Sequence, residues 1–158
     1  MGKTVIKMGP CGGMGGAARD INVDGVERII KVRIRHGSAI DAIMVFYDRN
    51  GHHEWSDSFG GTGGDLTEIN LMPNEYFTSI EGRYGNYDGF LVIRSLTFVS
   101  NLSTYGPYGV EGGVPFYLPA VNGKIIGFHG RSGVYLDAIG TYVSNRKKNS
   151  SVWWRCLF

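Results

Sequence analysis

Two short motifs each occur twice in this chain, and that repetition limits its folds more than any other feature. Gly12-Gly13-Met14-Gly15-Gly16 returns as Gly60-Gly61-Thr62-Gly63-Gly64, and Gly37-Ser38-Ala39-Ile40-Asp41-Ala42-Ile43 returns as Gly133-Val134-Tyr135-Leu136-Asp137-Ala138-Ile139. Duplicated motifs predict a pseudo-symmetric fold built of similar units, in which each glycine loop can meet one Asp-bearing loop in space. Glycine lets backbone amides approach a ligand with no Cβ in the way, and successive amides can converge on one oxygen. An aspartate four residues after a turn glycine can accept hydrogen bonds from two adjacent hydroxyls, and adjacent hydroxyls mean sugar. Taken singly, a GGxGG run reads more often as a bare tight turn, and a GxxxD spacing is common by chance.

The remaining chain supplies strands to carry these loops. Ile30, Val32 and Ile34 alternate with Lys31, Arg33 and Arg35, the period of a half-buried strand. Apolar runs at 4–8, 42–47, 66–71, 77–81, 91–99, 114–118, 125–128 and 136–143 bring the expectation to ten or so strands with no long helix. Asn50-Gly51, Gly106-Pro107 and Asn122-Gly123 read as turns between them. With 25 glycines and 13% aromatic residues in 158, the composition excludes a helical bundle. A net charge of +2 gives no electrostatic reason to expect nucleic acid or an acidic membrane, and no run is long enough for membrane insertion. The first fifteen residues lack the apolar run of a signal peptide, so a cytoplasmic or nuclear location is expected. Cys11 and Cys156 lie almost a chain length apart, form neither a disulfide framework nor a CxxC pair, and read as free thiols. Composition changes after residue 144: residues 1–144 read as one domain, and 145–158 (NRKKNSSVWWRCLF) as a basic, aromatic and loosely ordered tail.

Residues 130–140 (GRSGVYLDAIG) resemble the sugar-binding signature of the jacalin-related lectins. So do Arg94-Ser95-Leu96-Thr97-Phe98, Tyr105-Gly106-Pro107-Tyr108-Gly109 and the opening glycine loop, which together carry the resemblance from about residue 3 to 143. It implies an all-β fold, the type I β-prism of three four-stranded Greek-key sheets with pseudo-threefold symmetry. The first site it implies uses the amide of Gly16, the turn at Gly133, the amides of Val134 and Tyr135, and the carboxylate of Asp137. Asp137 would take the hydroxyls on carbons 4 and 6 of a mannose or glucose ring, and the two loop amides the ring oxygen and the oxygen on carbon 6. Residues 84–89 correspond to a third wall that tunes selectivity for longer glycans, with Tyr84, Tyr87 and Asp88 as its candidates. The unbroken run from Met1 through Gly16 resembles the mannose-specific branch. Gly63 and Gly64 with Ser38, Ala39 and Asp41 repeat the constellation and resemble the two-site members of the family. A third glycine turn at 109–113 has no GxxxD partner, so no third site is assigned. Homo-oligomerisation to a dimer or tetramer is a further implication. Cys11 departs from the pattern, standing where relatives often carry a bulky aromatic residue.

Other chemistry finds little support. His52-His53-Glu54 would point to opposite faces of a strand, so no metal site and no cofactor are expected. Asp41 and Asp137 belong to different sites, which leaves no paired acid and base for glycoside hydrolysis and no enzyme. The alternative from another class is a protein-interaction module with vestigial sugar loops, worked by Trp153, Trp154 and the basic run 146–148.

Overall fold

The computed structural model describes residues 4–145 and 155–156, and every regular element among them is a strand. Three antiparallel hairpins make the frame: β3 (Val26–His36) with β4 (Ile40–Arg49), β8 (Phe77–Tyr87) with β9 (Phe90–Ser100), and β12 (Gly123–Ser132) with β13 (Leu136–Asn145). Each hairpin gains flanking strands on both edges. β1 (Thr4–Gly12) pairs with β13 and β2 (Ala17–Arg19) with β12. β5 (His52–Trp55) and β6 (Phe59–Gly60) pair with β4, and β7 (Asp65–Asn70) with β3. β10 (Thr104–Gly109) pairs with β9 and β11 (Val114–Pro119) with β8. In every unit a glycine loop carries the chain across the hairpin from one edge to the other, which is a Greek key. Three such units give the β-prism with its pseudo-threefold repeat, as the duplicated motifs imply.

The three sheets close on one core. Phe77, Phe98 and Phe128 are fully buried, with ring centroids 5.3 Å apart for Phe77 and Phe98 and 6.1 Å apart for Phe98 and Phe128. Ile34 and Ile43 from β3 and β4, Ile80 and Leu96 from β8 and β9, and Ile139 from β13 complete it. Each such side chain contributes roughly 1.5–3 kcal/mol by leaving water.

Three sequence expectations need correction. Alternation in β3 is interrupted by a bulge between Ile29 and Lys31, so Ile29, Val32 and Ile34 face the core while Ile30 is only half-buried. Gly106-Pro107 is not a turn between strands but sits at a bulge inside β10, just as Gly9-Pro10 sits at a bulge inside β1. The cysteines are not free: Cys11 and Cys156 form a disulfide, with Cα atoms 5.4 Å apart. The reason is a strand no local pattern announces. β14 (Arg155–Cys156) adds to the edge of β11 through Phe116 opposite Cys156 and Tyr117 opposite Arg155, and this pairing lays Cys156 beside Cys11. It also accounts for the small residue at position 11. Trp153, Trp154 and 146–148 lie outside the described residues.

Candidate functional site

All three hairpins point the same way, so their connecting turns and the three glycine loops meet at one end of the prism. The turn between β12 and β13 is closed by the Gly133 N–H donating to the Tyr135 carbonyl at 3.0 Å. Asp137, next on β13, is 4% exposed, and the Gly13 N–H donates to its backbone carbonyl at 2.8 Å. The first glycine loop is thereby laid directly over the carboxylate. A Cβ on Gly15 would stand 2.9 Å from Asp137 Oδ2, and one on Gly16 2.8 Å from Oδ1. Gly16 also holds φ +65°, so glycine is required there for both space and backbone conformation. Burial pushes the Asp137 carboxyl above the ordinary carboxylate range, opposed by a hydrogen bond from the Gly133 amide and by the charge of Arg131.

The second constellation copies the first residue for residue. The Gly37 N–H donates to the Ala39 carbonyl at 3.0 Å, and the Gly61 N–H to the Asp41 carbonyl at 3.0 Å. Asp41 is 8% exposed; a Cβ on Gly63 would stand 2.9 Å from its Oδ2, and one on Gly64, at φ +73°, 2.5 Å from its Oδ1. Burial raises this carboxyl too, against the charges of His36 and Arg35. Gly63, Gly64, Ser38, Ala39 and Asp41 are thus brought together, as are Gly16, Gly133, Val134, Tyr135 and Asp137.

The third unit has the loop without the acid. The Val110 N–H donates to the Arg94 carbonyl at 3.0 Å, matching the bonds from Gly13 and Gly61, so Arg94 stands where the other units carry aspartate. A Cβ on Gly112 would stand 3.8 Å from Arg94 Nη1, an ordinary contact. The end of the β8–β9 hairpin turns through Asp88 and Gly89, at φ +52° and +78°, and leans on the first site. The Tyr135 hydroxyl donates to Asp88 Oδ2 at 2.9 Å, and the Tyr87 and Tyr135 rings meet edge to face at 5.5 Å. The Asp88 hydrogen bond pushes the Tyr135 phenol up to about 12. Tyr84 does not join this wall: it lies within β8, 6% exposed, beside Phe116.

The jacalin-like lectin domain matches residues 8–142. The chain belongs to the jacalin-like lectin family. It is 45% identical over 150 residues to jacalin-related lectin 3 of Arabidopsis thaliana, covering 91% of this chain and 24% of that one, so it spans about a quarter of that relative's length. The mannose-binding jacalin-related lectin of Ananas comosus superposes with a TM-score of 0.84 at 39% identity, over 88% of this chain and 96% of that one. Malaysian banana lectin superposes with a TM-score of 0.82 at 42% identity, over 89% and 98%. The family is one of carbohydrate-binding proteins and not of enzymes.

The glycine loops are also held by arginines outside the two duplicated motifs. Arg131 donates from Nε to Gly15 O and from Nη2 to Gly16 O, both at 3.0 Å, gripping the first glycine loop. Arg35 reaches Thr62 O at 3.4 Å in the second unit, and Arg83 reaches Gly113 O at 3.0 Å in the third. The signal was present: each GxxxD is preceded two residues earlier by arginine, so the fuller repeat is RxGxxxDAI. A cavity of about 530 Å³ lined by Tyr76, Thr78, Lys124 and Ser144 lies at the other end of the same strands, away from both carboxylates.

Proposed function

We propose that this lectin binds mannose- or glucose-type glycans at two sites per chain, one around Asp137 and one around Asp41. The observation that carries the reading is the duplicated juxtaposition of a nearly buried carboxylate with a glycine loop packed on it. Asp137 accepts the hydroxyls on carbons 4 and 6, the Val134 and Tyr135 amides serve the ring oxygen and the oxygen on carbon 6, and Gly16 supplies the facing amide. Asp41, Ser38, Ala39, Gly63 and Gly64 do the same at the second site. Galactose inverts the hydroxyl on carbon 4 and loses one of the two donors to the carboxylate, which favours mannose. The likeness to the pineapple mannose-binding lectin supports the same choice.

A monosaccharide held by a few hydrogen bonds on an open surface binds with Kd on the order of 1 mM. Useful strength then comes from engaging several sites, which adds roughly 10² to 10⁴. Two sites per chain, multiplied in a homodimer or tetramer, cross-link glycans. Calorimetry with methyl α-mannoside tests the count: two sugars per wild-type chain, one for Asp137→Ala, one for Asp41→Ala and none for the double variant. A wild-type count of one, unaffected by Asp41→Ala, would reduce the second constellation to a relic of the fold's symmetry.

A further inference from the structure

The pseudo-threefold symmetry breaks at one contact, and the break falls on the second site. Gly13 lies so close to the Leu91 carbonyl of the neighbouring unit that a Cβ would overlap its oxygen, and Gly61 lies in the same way on the Val134 carbonyl. The third loop has Val110 at the matching place. The carbonyl symmetry would assign to it, that of Ser38, is taken instead by Arg94, whose Nε donates at 3.1 Å.

That oxygen belongs to the second site's own turn. The Ser38 carbonyl and the Ala39 N–H share one planar trans peptide and point in opposite directions, so holding the oxygen aims the N–H. A cationic donor on the oxygen also polarises the peptide and makes its N–H a stronger donor. The other side of the guanidinium serves the first site. Arg94 Nη1 donates to the Asn86 carbonyl at 3.1 Å, and its Cζ lies 5.3 Å from the centre of the Tyr87 ring, which in turn meets Tyr135.

We infer that Arg94 is a positioning residue for both sugar sites, orienting the Ser38–Ala39 peptide of the second and holding the end of the β8–β9 hairpin against Tyr135 of the first. It thereby sets monosaccharide affinity at the second site and the preference for longer glycans at the first. Symmetry explains how one residue reaches both: it occupies the aspartate position of the unit that lacks a site, midway between the two that have one. The inference rests on the two-site reading above.

The test places Arg94→Ala and Arg94→Lys in Asp137→Ala and Asp41→Ala backgrounds and titrates each with methyl α-mannoside and mannotriose. With only the second site intact, Arg94→Ala should weaken methyl mannoside about tenfold. With only the first site intact, it should lower the ratio of mannotriose to methyl mannoside affinity severalfold. Arg94→Lys should behave like Arg94→Ala, because one ammonium does not span two carbonyls while stacking on a ring. A separate arm needs no sugar: amide hydrogen exchange at residues 86–90 should speed up severalfold in Arg94→Ala, because the end of the β8–β9 hairpin loses the guanidinium bond to the Asn86 carbonyl. Affinities and ratios within twofold of the parents, or unchanged exchange at residues 86–90, would overturn the inference. If the parents bind neither sugar, the two-site reading fails, and the exchange at residues 86–90 decides whether Arg94 holds the hairpin.

Discussion

Replacing Asp137 with Asn separates what the carboxylate does for a ligand from what it costs the fold. The side chain is 4% exposed, so water does not compensate for a lost partner. An amide of the same shape keeps one acceptor oxygen but turns an NH2 donor toward hydroxyls that must themselves donate. Hydrogen bonds to a charged group contribute about 1.5–3 kcal/mol each, so losing one and leaving the other neutral corresponds to roughly tenfold to a hundredfold in affinity at the first site. Stability should move the other way. Burial raises the folded-state pKa of Asp137 above the 3.8 of the free carboxyl. A carboxyl raised in this way favours the fold below 3.8 and loses that contribution as pH rises through the folded value. At neutral pH its charge therefore works against folding. Asp137→Asn should unfold at an equal or higher temperature than wild type at pH 7, with the difference shrinking as pH falls toward 3.8. Calorimetry against methyl α-mannoside in the Asp41→Ala background gives the affinity, and differential scanning calorimetry across pH gives the stability. First-site affinity within threefold of wild type would refute the assignment of Asp137 as ligand. A ligand-free midpoint several degrees lower at pH 7 would refute the electrostatic argument.

The remaining predictions address loops, bridge and metal. Gly63→Ala should silence the second site, because its Cβ would meet Asp41 Oδ2 at 2.9 Å, whereas Gly112→Ala at the matching position of the third unit should leave both sites unchanged, its nearest neighbour lying at 3.8 Å; equal losses in mannoside titrations would count against the steric argument. Reducing the Cys11–Cys156 bridge, or making Cys156→Ser, opens a closure of 145 residues. That should remove roughly 2–5 kcal/mol and lower the thermal midpoint by about 5–15 °C, and two reactive thiols in the unreduced, unfolded chain would contradict the bridge. Mannose binding should survive dialysis against EDTA, since amides and one carboxylate per site form no oxygen cage for calcium; restoration by calcium of binding lost to chelator would sink the site description.

Both constellations could be read from residue order because their chemistry is local. A glycine loop and a turn followed four residues later by aspartate are each set within a few residues, and their duplication carried the information that they belong to equivalent units. Strand content was readable for the same reason, down to the alternation in β3, although the bulge that turns Ile30 off the core was not. What residue order left open was everything that crosses between units. Cys156 meets Cys11 across 145 residues, and Arg94 meets Ser38 across 56. Tyr84, numbered among the wall residues, is carried inward because β8 runs on through Tyr87 before it turns. A side chain's position along one strand follows from local sterics and hydrophobic period, but its neighbour on another sheet follows from the register and closure of three sheets on a common core. Arg94 shows the difference: in the sequence it is one arginine before Ser95-Leu96-Thr97, and only the closed prism sets its guanidinium between two sugar sites.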